Sequence, residues 1–171
     1  MTALADWRHR LNEIPANGLR VTRKATPEEC AEIAASLSIV SCENLSATYQ
    51  IKAKNRDRYE LTGHVTVGVI QSCIVSLEPV RASQDETLDC AFIPSDLLPE
   101  SREDEQEVLS IDDLEPIENG WINVGRIVFE VISTGLDPYP RREDAQWSDV
   151  ASAREIATGP FAALAELKKK S

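Results

Sequence analysis

No apolar run in this sequence reaches the ~18–20 residues that a membrane-spanning helix needs. The opening stretch from Met1 to Ile14 mixes Asp6, Arg8, Arg10 and Glu13 with isolated apolar residues, so it lacks the continuous apolar core of a secretory signal. A cytoplasmic location is expected on these grounds. Aromatic residues make up only 5% of the chain while apolar residues make up 42%, so a core must be built from Val, Ile, Leu and Ala. There are four cysteines, Cys30, Cys42, Cys73 and Cys90, separated by 12, 31 and 17 residues. No pair has C-x-x-C spacing, which removes the usual zinc-knuckle and thioredoxin patterns. Two disulfides could be drawn, but a cytoplasmic chain of 171 residues does not need them, and the thiols are expected to be buried or inert.

The length suits one domain with some peripheral extension. The formal charge of −11 is unevenly placed. Residues 85–118 hold thirteen acidic residues and one basic residue, Arg102, leaving sixteen acidic against seventeen basic residues elsewhere. This pattern describes a near-neutral body with one acidic limb. Such a limb repels phosphates and attracts basic partners, which argues against broad nucleic-acid binding over that part of the surface. It reads either as a solubilising loop or as a docking arm for a basic protein.

Periodicity predicts an α+β fold. A short strand is expected over 18–25. Thr26-Pro27-Glu28-Glu29 carries the signals of a helix start, with a capping threonine, proline in the first turn and a glutamate three residues on. That helix runs to about Leu37. Leu45 to Ala53 and Tyr59 to Val69 alternate apolar and polar residues around a polar turn at 55–58, which predicts an antiparallel hairpin. Gly63 and Gly68 within it point to a bulge or close packing. A third strand is expected from about Ile74, interrupted by Pro79, with a return over Thr87 to Ile93. Residues 94–120 read as an acidic loop. Asn123 caps a helix near 124–134 with Gly135 as its C-terminal cap, and a C-terminal helix is expected over 160–170 with Phe161, Leu164 and Leu167 on one face. The expected assembly is a curved or partly closed antiparallel sheet packed by these helices. Residues 1–17 form a loosely ordered lead-in, and 18–171 form a single domain.

Catalytic patterns are weak. His9 and His64 read as solvated histidines. A Cys73–His64 nucleophile pair would need a hydrogen bond and a third orienting group that the spacing does not supply. Gly63-x-x-x-x-Gly68 is not followed by Lys-Ser or Lys-Thr, so it is not a phosphate loop. No cofactor or metal is expected, because no ligand cluster has suitable spacing. Cys73 reads as a small buried residue at a turn or as a contact on a partner surface. Lys52, Lys54, Arg56 and Arg58, with Arg141 and Arg142, read either as ordinary surface charge or as a phosphate-contacting patch with Tyr139 available for base stacking. Trp121 reads as a core or staple residue, or as an exposed anchor.

Three blocks resemble the YceD family of large ribosomal RNA subunit accumulation proteins. The first runs from Val65 through Cys73 to Pro79-Val80. The second runs from Ile122-Asn123-Val124 to Asp137-Pro138-Tyr139-Pro140-Arg141, and the third is Pro160-Phe161-Ala162-Ala163-Leu164-Ala165-Glu166-Leu167-Lys168-Lys169. They cover about residues 45–170 in the family's order. Many members carry Cys-x-x-Cys at the turn, whereas here Cys73 is followed by Ser76, which removes the second thiol. Asn123 replaces the usual aspartate but keeps a capping oxygen. The resemblance implies a non-enzymatic ribosome biogenesis factor that supports accumulation of the large-subunit (23S) ribosomal RNA. It would act on a pre-large-subunit particle by binding precursor rRNA, a basic large-subunit ribosomal protein, or both. A chaperone of one basic ribosomal protein without RNA contact and an RNA-processing enzyme are the alternatives.

Overall fold

A computed structural model describes residues 3–54, 58–97 and 114–145. In chain order the elements are β1 (Arg8–Arg10), β2 (Leu19–Lys24), α1 (Pro27–Leu37), β3 (Ser41–Ala53), β4 (Tyr59–Ser72), β5 (Pro79–Pro94), β6 (Leu114–Ile117), β7 (Trp121–Asn123) and α2 (Val124–Thr134). The fold is α+β, as the periodicity predicted. Strands β2-β3-β4-β5-β6 form an open five-stranded sheet, and β1 pairs with β7 in a separate ribbon.

The alternation of β3 and β4 sets the layers. Ala47, Tyr49 and Ile51 of β3 are buried together with Leu61, Val65, Val67 and Val69 of β4. This face joins Ile33 of α1 and Ile127, Val128 and Ile132 of α2 in one apolar cluster. The residues between them face outward, because a strand turns successive side chains to opposite sides. Gly63 lies opposite Tyr49 and Leu88 on the closed face. A Cβ there would run into the backbone of Thr48 and Tyr49, so the glycine marks close packing. The bulge lies instead on β3, where the register shifts between Glu43 and Ser46 and Asn44 takes φ 53°.

Both helix starts form as their sequences indicate. Thr26 accepts a hydrogen bond from the Glu29 amide at 3.2 Å, and the Glu29 carboxylate accepts from the Thr26 amide at 2.8 Å. The other oxygen of Glu29 accepts from the Trp7 indole at 3.0 Å, tying the chain's beginning to α1. Asn123 caps α2 by accepting from the Arg126 amide at 3.1 Å. Gly135 follows α2 but has φ −79°, an ordinary right-handed value. Its lack of a side chain serves close approach, since a Cβ would lie 3.1 Å from the Oε1 atoms of both the Gln84 carboxamide and the Glu86 carboxylate.

Several expectations need correction. The sheet is mixed, because β6 runs parallel to β5 from Ala91↔Leu114 to Pro94↔Ile117. The acidic loop expected over 94–120 therefore contains a strand. Pro116 is tolerated there because β6 is an edge strand and one side of it needs no ladder donor. Strand β5 does not begin at Ile74 or break at Pro79. It runs unbroken from Pro79, which takes the first position opposite Ser72, where a missing N–H costs little. The lead-in is more ordered than expected: Ala3, Leu4 and Trp7 are buried and β1 pairs with β7. His9 is buried for the same reason, since it alternates inward between exposed Arg8 and Arg10. The expected C-terminal helix, with Phe161, Leu164 and Leu167, lies outside the described residues, as does Arg56.

Candidate interaction surface

The closed face contains one polar cluster. His9 Nε2 and the Tyr49 hydroxyl are 2.9 Å apart, and the two rings meet edge to face with centroids 5.8 Å apart. Burial lowers the pKa of His9 below its ordinary 6.5, and the positive charge of Arg23 lowers it further. Burial also raises the pKa of Tyr49, while a hydrogen bond from Arg23 opposes that rise. The His9 and Tyr49 side chains are thus each other's hydrogen-bond partner. With His9 and Tyr49 both buried, the cluster orders the core and has no open approach for a substrate.

The predicted basic residues fall into two groups at opposite ends of β4. Lys52, Lys54 and Arg58 lie near the β3–β4 connection. Lys52 is exposed, Lys54 pairs with Glu60 at 2.9 Å, and Arg58 is partly buried. Tyr139, Arg141 and Arg142 lie beside the β4–β5 connection, where the Pro140 carbonyl accepts from the Ile74 amide at 2.9 Å. Fourteen residues of β4 separate the two ends, roughly 40 Å at strand rise, so they are not one patch. Arg142 is compensated by Glu78 at 2.8 Å and by Asp144 at 2.7 Å, and these carboxylates hold its pKa above the ordinary range. Arg141 donates to the Ala145 carbonyl at 2.9 Å. Tyr139 is 72% exposed and free to stack on a partner. Asp137 orders this stretch, accepting from the Tyr139 amide at 2.8 Å with its side chain and from the buried Gln71 amide at 2.9 Å with its carbonyl. Pro138 is exposed and Pro140 is buried against the turn.

Cys73 has no exposed surface and opens the turn that leads to Pro79. Its sulfur accepts from the Val75 and Ser76 amides, both at 3.4 Å. Hydrogen bonding from the Ser76 side chain and backbone, and from the Arg142 backbone, pulls the thiol down to about 6. The sulfur is held inside the turn, so it could attack an external substrate only if residues 73–78 opened. Ser76 lies three residues on, and its amide is one of the two donors to the sulfur. Among the described residues no group of three or more His, Cys, Asp or Glu is placed to hold a metal, and all four cysteines are free thiols.

The open face of the sheet carries a more continuous feature than either predicted patch. Three rows cross it: Arg20, Gln50, Thr62 and Asp89; Thr22, Thr48, His64 and Thr87; and Lys24, Ser46, Thr66 and Asp85. Lys52 lies one row beyond Gln50. Thr22 and Thr48 hydroxyls touch at 3.1 Å. His64 is exposed, as expected. These rows contain no Phe, Tyr or Trp, so His64 and Arg20 are their only planar groups on which a base could stack. Arg20, Lys24 and Lys52 make the β2 side basic, while Asp85 and Asp89 make the β5 side acidic. None of these three basic residues has an acidic partner within ion-pair distance among the described residues.

Sequence reasoning missed this basic edge. Its signal is the Arg20-x-Thr22-x-Lys24 alternation, which points outward once Leu19 and Val21 point inward. It also missed the β1–β7 ribbon, where the guanidinium carbons of Arg8 and Arg10 lie 4.5 and 4.7 Å from the centre of the Trp121 ring. Trp121 is thus a half-buried staple under two cations. Part of the acidic limb is also built into the fold: Glu115 pairs with Arg126 at 2.9 Å, and Arg126 also holds Glu130 at 2.8 Å.

No family model, no curated protein and no solved structure matches the chain. Among the described residues no helix is long and apolar enough to cross a membrane.

Proposed function

We propose that this chain is a binding-only factor of large-ribosomal-subunit assembly that supports accumulation of the large ribosomal RNA. The observation that carries the reading is the separation of charge across the open sheet face. Its edge of Arg20, Lys24 and Lys52, which form no ion pair among the described residues, suits phosphates of precursor rRNA. Its opposite edge, Asp85 and Asp89, suits a basic ribosomal protein. The resemblance to the YceD family supplies the ribosomal context. Tyr139, on the turn that bears the family-like Asp137-Pro138-Tyr139-Pro140 stretch, adds a stacking contact at one end of the sheet. A cytoplasmic site of action belongs to the same reading.

Sedimentation at low salt tests it: the protein should travel with large-subunit precursors and dissociate as salt rises. Recovery only in free fractions, with normal large ribosomal RNA when the protein is absent, would refute the proposal. The acidic β5 edge favours one second reading, a chaperone of a basic ribosomal protein without RNA contact. Charge reversal at Arg20 and Lys52 separates the two, because RNA binding alone should suffer in the first case and neither interaction in the second.

A further inference from the structure

Strand β2 stops short of covering β3. Their pairing ends at Lys24↔Ser46, and the Ala25 amide then reaches the Leu45 carbonyl at 2.9 Å. The chain turns away into α1 at Pro27, so residues 41–43 pair with β4 on one side and have no described strand on the other. Such an edge presents backbone donors and acceptors that another chain can pair with. The space between it and α1 is a groove of about 980 Å³. On its helix wall Ala31 and Ala35 lie one turn apart and are both exposed, and Val40, 56% exposed, lies at one end. Glu28 and Glu32, also one turn apart, flank this wall. Both are exposed, and neither forms an ion pair among the described residues. Glu43 is held by Arg81 at 3.2 Å, and Lys24 stands where β2 stops, so the two carboxylates set the charge along the helix wall.

We propose that this groove takes an extended basic segment of a partner protein as an added strand on residues 41–44. Backbone pairing with β3 supplies the affinity, and the side chains that meet α1 supply the selectivity. Lysine or arginine side chains turned towards α1 lay their methylene stems on Ala31 and Ala35 and end beside Glu28 and Glu32. Such residues cover apolar surface in this way while their charge stays in water. The alanines leave room for the stems. The same two carboxylates repel a phosphate backbone, so charge complementarity selects a basic protein segment over RNA at this edge. A basic ribosomal protein is the source of the segment under the assembly reading, and only that source rests on it.

The probe is a short capped peptide of alternating lysine and threonine, added to the full chain without RNA, with a glutamate-for-lysine peptide as control. Amide hydrogen exchange should slow over residues 41–44 with the lysine peptide alone, and the effect should weaken as salt rises. Ala35→Arg, at an exposed helix position, fills the groove with bulk and like charge. It should weaken binding by about tenfold or more at an unchanged unfolding midpoint. Glu28→Gln/Glu32→Gln keeps the shape of the groove and should weaken binding about threefold or more, as loss of two exposed ion pairs does. Unchanged exchange over 41–44, equal protection by the glutamate peptide, or undiminished affinity in either variant overturns the proposal. So does protection that grows with protein concentration in the absence of peptide, which assigns the edge to a second copy. The assay holds no ribosomal component, so its failure is distinct from failure of the assembly reading, which sedimentation tests.

Discussion

The two faces of the same sheet are specified by different physics. On the closed face, Tyr49, Leu61, Val65 and Leu88 are fully buried, and a single added methyl group at Gly63 has nowhere to go. On the open face, the neighbouring residues of the same strands are Thr48, Thr62, His64 and Thr87, with contacts as light as a 3.1 Å hydroxyl pair. Shape holds one side and charge distinguishes the other. Stability and binding should therefore be separable by mutation, although the two sets of residues alternate along the chain.

The largest effect should come from breaking the closed face. Gly63→Ala should cost about 3 kcal/mol, as overpacking against backbone does, measured by urea unfolding. Glu29→Ala should cost about 2 kcal/mol, because it removes a helix cap and leaves the buried Trp7 indole without its acceptor. Glu29→Gln should recover part of that loss. A smaller effect concerns His9. Its folded pKa is below 6.5, so the unfolded chain binds the proton more readily. Stability is fully present above pH 6.5 and falls as the pH drops towards the folded value. His9→Gln should flatten that part of the pH–stability curve. Least of all, Thr48→Ala on the open face should change stability by about 0.5 kcal/mol or less.

Much of the closed face was legible in the sequence because its signals are local. The Thr26/Glu29 capping box, the Asn123 cap and the alternation of β3 and β4 each lie within a few residues. What the sequence concealed depends on distant pairing. Trp7 is one apolar residue among charges until β1 meets β7, more than a hundred residues away. Leu114-Glu115-Pro116-Ile117 looks like part of an acidic loop, and only the parallel edge of β5 makes it a strand. The candidate surface followed the same rule. The exposure of Lys52 and Tyr139 was readable, but Lys54 and Arg142 are neutralised by Glu60, Glu78 and Asp144, partners that counting charge along the chain does not assign. The basic edge emerged only when β2 was placed beside β3.

The central claim is that charge on the open face, and not the packing beneath it, determines binding. The most direct measurement is the salt dependence of precursor rRNA binding for Arg20→Glu/Lys24→Glu/Lys52→Glu beside the unaltered protein. The expected result is weaker binding, a log–log salt slope reduced by about 1 for each lost phosphate contact, and an unchanged unfolding midpoint. Equal affinity and equal slope in the two proteins would contradict the claim.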